Sequence, residues 1–159
     1  MHVKKLAVLA LFATIALAVS SIEAMLPPLV PIPGVKMGLA NVVTLILLNF
    51  FRPGEVFCVL LVRILLAGIF GGQMISLLYS LSGGICCFFV MEFMNRFLKK
   101  KHLPLTSMAG ALAHNAAQIV TARIVVGSAS VYLYIPALMV SSLVTGAFTG
   151  IVAVCVCPI

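Results

Sequence analysis

Residues 55–71 read EVFCVLLVRILLAGIFG, an apolar run interrupted once, by Arg63. Arg63 stands eight residues from Glu55 and eight from Gly71. At about 1.5 Å of rise per residue it lies ~12 Å inside a hydrocarbon core ~30 Å thick. An arginine near the midplane costs about 2.5–3.5 kcal/mol on insertion scales, and it cannot shed its proton to escape. It therefore needs an anion or a wet cavity beside it.

The rest of the chain has the composition of a membrane protein. It has 159 residues, of which 64% are hydrophobic and 8% charged; soluble domains carry about a quarter charged residues. Apolar runs occupy about 5–26, 38–51, 55–71, 74–94, 106–126 and 130–157, which predicts a single all-α domain over 1–159 with about six transmembrane helices. The last run is long enough to tilt, or to break at Pro136.

A net charge of +7 has no solvated face on which nucleic acid could be read. Topology explains it better. Lys4 and Lys5, Arg52, and the group Arg96, Lys99, Lys100 and Lys101 fall in alternate connections, so the positive-inside rule puts them and both termini in the cytoplasm. The start of the chain also has the form of a secretory signal, but an uncleaved first helix gives the even span count that the charges require.

Two classes of chemistry lack residues. The acids are Glu23, Glu55 and Glu92, with no aspartate, and they are too far apart in sequence to pair for acid–base work or a metal. The five cysteines form no CxxC pair and read as small buried hydrophobes. No P-loop is present. No catalytic residue, metal or cofactor is expected.

Several polar residues call for a function. His114 lies as deep in its run as Arg63 does in its own, and Asn115 and Gln118 follow it. His114 and Gln118 share a helical face. Arg123 comes near the outer end, Lys36 lies in the outer connection, and Asn41 opens the second run. Lys36, Arg63 and Arg123 are cationic, against Glu23 alone at that end. A polar funnel with this lining suits an anionic ligand. The alternative pairs Glu23 with Lys36 or Arg123 and leaves Arg63 snorkelling or bonded to carbonyls. The segment PPLVPIPG, with four prolines, cannot continue a helix, and Gly34 and Gly38 allow a turn that carries Lys36 over the bundle mouth. Small residues mark two contact faces. Ser142, Gly146 and Gly150 read as packing between helices. Ala10, Thr14 and Ala18 on the first helix suit a partner's helix.

At these residues the chain resembles a known family. PGVKMGLANVVTL (33–45), VRILLAGIFGG (62–72), SLSGGI (80–85) and GALAHNAAQIV (110–120) are similar to the Gx transporters, small bacterial membrane proteins also labelled heptaprenyl diphosphate synthase component I. That family is similar to the substrate-binding S components of energy-coupling-factor transporters, six-helix bundles that dock on a shared transmembrane subunit with two ATPases. The resemblance places Lys36, Gly38, Asn41, Arg63, His114, Asn115 and Gln118 at motif positions and implies a link to isoprenoid or quinone metabolism. The synthase label implies catalysis, but prenyl diphosphate synthases hold magnesium with aspartates that this chain lacks.

Three functions follow. The first is an S-component-like subunit that binds a small anionic, amphipathic solute such as an isoprenyl diphosphate or a quinone precursor. The second is a non-catalytic accessory subunit of an isoprenoid, quinone or redox enzyme complex. A membrane prenyltransferase ranks last for want of acids.

Overall fold

The computed structural model describes residues 2–26, 36–71, 74–98 and 102–157. These form six α-helices: α1 (His2–Met25), α2 (Asn41–Phe50), α3 (Pro53–Gly71), α4 (Met74–Phe97), α5 (Leu103–Val126) and α6 (Ile135–Val156). The PPLVPIPG segment, Gly34 and Lys99 to Lys101 lie outside the described residues.

The helix ends follow local chemistry. Pro53 opens α3, where its missing N–H is no loss, and Glu55 Oε2 reaches back to accept the Arg52 N–H at 3.3 Å. Pro104 sits in the first turn of α5, which stops at Gly127 in the left-handed region, φ 71°. Pro136 does not break a long last helix. It lies in the first turn of α6, and a short 3-10 segment, Ala129–Tyr134, precedes it.

The expected six membrane spans are not what the helices provide. Among the described residues, four stretches are long and apolar enough to cross a bilayer: Val3–Met25, Pro53–Gly71, Met74–Phe97 and Ala129–Val156. The S-component-like bundle of about six transmembrane helices is corrected accordingly, and the two exceptions have different causes. Helix α2 has 10 residues and rises only ~15 Å, half the hydrocarbon thickness. It is instead a central helix that touches all five others and buries seven of its residues, from Asn41 to Leu48. Helix α5 has 24 residues, but His114, Asn115, Gln118 and Arg123 dilute its apolar character.

Packing puts the polar residues of α5 inside. Its most extensive contacts are with α6 and α4, so both flanks are covered. The seam with α6 depends on absent side chains. A Cβ on Gly146 would meet Met108 Cα at 2.6 Å, and one on Gly150 would meet Pro104 Cα at 2.5 Å. Ser107 and Thr149 share a hydrogen bond of 2.8 Å across the same seam. Of the cysteines, Cys87 and Cys157 are buried as expected, whereas Cys58, Cys86 and Cys155 are exposed.

One end of the bundle collects the basic residues. Lys5 Nζ bonds Glu55 Oε1 at 2.6 Å and lies over the Phe51 ring, joining the start of α1 to the α2–α3 junction. Asn95 donates to the Leu48 carbonyl at 3.4 Å and brings the end of α4 to the same place. A large apolar core that includes Leu47, Leu60, Met91, Leu103 and Cys157 fills this half. A smaller one around Tyr79, Ile119, Val131 and Leu138 fills the other. Ser80 and Ser82 on α4 and His114, Asn115 and Gln118 on α5 fall between the residues of the two cores.

Candidate functional site

A cavity of about 20 Å³, room for a water or two, lies between α1, α3, α4, α5 and the segment entering α2. Its polar lining is Ser20, Glu23, Lys36, Arg63, Ser80 and His114, with Gly38 beside them.

Arg63 comes from α3 and is 7% exposed. Its Nη1 donates to Ser20 Oγ on α1 at 3.0 Å, while its Nε is buried without a partner. Among the described residues, no carboxylate is within ion-pair distance of it. Among the described residues, the direct pairs are Lys5–Glu55 and Arg96–Glu92, both at the far end. A buried guanidinium with its Nε idle is unusual, because an unmade buried hydrogen bond costs about 1–3 kcal/mol.

Glu23 stands across the cavity, also buried. Its Oε1 accepts the Gly38 N–H at 2.5 Å. Gly38 has φ +82°, a backbone state open chiefly to glycine, and it turns the chain into α2. The carboxylate therefore sits at the N-terminal end of α2, where the helix dipole favours an anion. Sequence reasoning treated Glu23 only as a counter-charge for Lys36 or Arg123 and did not place it in the site. Its position one turn beyond Ser20 on the first helix was the available signal.

Behind these groups runs an ordered polar chain. Gln118 Oε1 accepts the Lys36 N–H at 3.3 Å, which turns its Nε2 toward His114 Nε2 at 2.9 Å. The Asn41 amide nitrogen, Nδ2, lies 3.2 Å from His114 Nδ1. The ring is wedged between two glycines: a Cβ on Gly83 would lie 2.7 Å from His114 Cε1, and one on Gly38 would lie 3.1 Å from His114 Cδ2. Both ring nitrogens are thus spent on amides. His114 and Gln118 clasp the 36–41 segment, and His114 offers the cavity its ring.

The expected site residues divide. Lys36, Arg63 and His114 line one cavity, and Asn41 and Gln118 form the wall behind it. Asn115 lies elsewhere. It donates to the Leu138 carbonyl at 3.2 Å and to Ser142 Oγ at 2.7 Å, which makes it a clamp between α5 and α6. One residue along a helix is a rotation of ~100°, so the neighbour of His114 faces another element. Arg123 is half-buried near the end of α5 and does not line the cavity. Ala10, Thr14 and Ala18 lie on an exposed face of α1, and the Thr14 hydroxyl is returned to the Ala10 carbonyl.

No curated protein and no solved structure matches the chain. The family described as heptaprenyl diphosphate synthase component I matches over residues 12–156, a stretch that includes every residue of the cavity. By that match the chain is a multi-pass membrane protein of the heptaprenyl diphosphate synthase component I family.

Proposed function

We propose that this chain is a non-catalytic membrane subunit serving isoprenoid or quinone metabolism, and that its cavity holds the anionic head of an amphipathic solute. The carrying observation is Arg63, a permanent cation that lines the cavity with Lys36 and whose buried Nε has no partner. Family membership supports the metabolic setting. The glutamates support a non-catalytic role: Glu55 is engaged by Lys5 and Glu92 by Arg96 at one end, and Glu23 stands alone at the other. An isoprenyl diphosphate fits the chemistry, with its head at Arg63 and Lys36 and its tail among the helices. The test is mass spectrometry of small molecules that co-purify with the chain from its own membranes. An anionic lipid-like species should be present with wild type and depleted with Arg63→Gln. The same species at the same level with both would remove the basis of the reading.

A second reading, S-component-like uptake, is favoured by α1. This helix packs mainly on α3 and leaves the Ala10, Thr14 and Ala18 face open. An energy-coupling transmembrane subunit carrying ATPases could dock there. Replacing Ala10 and Ala18 with leucine should then abolish uptake and spare ligand binding. Loss of both would mark the face as internal to the fold.

A further inference from the structure

The cavity is lined by cations, yet a carboxylate of the protein itself already lies in it. We propose that Glu23 is a resident anion, and that the ligand binds by displacing its carboxylate from the Gly38 N–H with a phosphate or carboxylate of its own. This rests on the anion-binding reading above and adds the residue that sets its threshold.

Three observations converge. First, Glu23 Oε1 accepts the Gly38 N–H at 2.5 Å, so a negative oxygen occupies the entrance to α2. Such a position suits any oxyanion. Second, Arg63 lines the same cavity, its buried Nε has no partner, and no ion pair joins it to Glu23. The resident carboxylate therefore leaves part of the cationic lining unused. Third, the space left over holds only a water or two. A phosphate group cannot enter unless something leaves, and Glu23 is the side chain whose departure frees both volume and donors.

Glu23 is also placed to move. It lies in the last turn of α1, which has the least buried of the four apolar spans and packs mainly on α3. The Gly38 bond ties that end of α1 to the segment over the cavity. An incoming oxyanion would take over the Gly38 N–H, bind Arg63 Nε and Lys36, and release the tie. Selectivity follows: a single weak anion does not outcompete a tethered carboxylate, whereas a multidentate group such as a diphosphate gains contacts that Glu23 cannot make.

The experiment is calorimetric titration of the full chain in lipid nanodiscs, with inorganic diphosphate and geranyl diphosphate as probes. Glu23→Gln should bind both about 10- to 100-fold more tightly than wild type. Glu23→Asp keeps the charge but falls short of Gly38, and should shift affinity in the same direction by less. It also serves where the glutamine variant does not fold. Equal or weaker binding by these variants, with wild-type binding that depends on Arg63, overturns the displacement and leaves the anion site standing. No binding by wild type or by any Glu23 variant overturns both. Geranyl diphosphate bound without inorganic diphosphate would place recognition in the tail and also overturn the displacement.

Discussion

Arg63 and Ser20 join α3 to α1 through one hydrogen bond, Nη1 to Oγ at 3.0 Å, and leave Nε of the same guanidinium idle. If that idle donor is meant for a ligand, Arg63→Gln should cost about 1.5–3 kcal/mol of binding, a loss of about 10- to 150-fold. Arg63→Lys should lose affinity too, since an ammonium cannot bond Ser20 and a ligand with a planar fork. Ser20→Ala should cost less, because it removes the neutral partner only. The check is titration of folded, monodisperse protein. Binding by Arg63→Gln as tight as wild type would make the arginine structural.

The glycines around His114 and along α6 should separate stability from binding. Alanine in a helix is favoured over glycine by about 1 kcal/mol, whereas overpacking costs about 1–3 kcal/mol. At Gly146 and Gly150 the new methyl would strike backbone atoms of α5, which cannot yield without moving the helix. Gly146→Ala and Gly150→Ala should therefore lower the melting temperature in detergent. At Gly83 the obstacle is the His114 ring, which can tilt at the expense of its bonds to Asn41 and Gln118. Gly83→Ala should melt closer to wild type but weaken binding, since the 36–41 segment loses its clasp. A Gly150→Ala variant as stable as wild type would mean that the seam is looser than its distances indicate.

Much of this arrangement was legible in the sequence because charge and proline are costly in an apolar chain. Arg63 announced a polar centre by its depth alone, His114 was placed with it on the same ground, and Lys36 was brought over the bundle mouth by the proline- and glycine-rich turn before it. Other features were hidden by helix geometry. Asn115 follows His114 directly, yet the 100° step sends it to Ser142 on α6. Apolar composition gave α2 the look of a span, although burial by neighbouring helices produces the same composition in a short helix. In α5 the polar residues that marked the site also removed the helix from the apolar spans. Glu23 was seen as a compensating charge because sequence carries no distance: it bonds a backbone N–H, and neither cation lies within ion-pair reach.

Orientation in the membrane can be tested on residues whose exposure is known. The basic residues Lys5, Arg52 and Arg96 gather at the end of the bundle where α1 starts and α6 finishes. By the positive-inside rule that end, with both termini, is expected to face the cytoplasm. In a background without native cysteines, Lys4→Cys and Val156→Cys should react with an impermeant thiol reagent only from the cytoplasmic side. Met25→Cys, at the other end of α1, should react from outside. Labelling of positions 4 and 25 from one side would invert or break this topology.

Lys36 should impose an alkaline limit on binding. It lies outside the helices, half-buried, with its N–H held by Gln118 and its side chain at the cavity. Burial pushes its ammonium below the usual lysine range; Glu23 opposes that shift and Arg63 adds to it. The sign follows directly. The empty fold disfavours the charged form, so its stability should rise as pH climbs through the lowered pKa toward the unfolded value of about 10.4. A bound anion needs the charged form, so affinity should be level near neutrality and fall as pH rises through that same lowered pKa. Affinity and the stability of the empty protein thus move in opposite directions over one window. Titration with inorganic diphosphate at stepped alkaline pH would measure the first, and thermal melting without ligand the second. Lys36→Met should bind more weakly at neutral pH and show neither alkaline trend, because Arg63 keeps its proton throughout the range and Glu23, in the wild type and in the variant alike, stays the same neighbour. An unchanged alkaline decline in Lys36→Met would assign the titration to another group and remove Lys36 from the site.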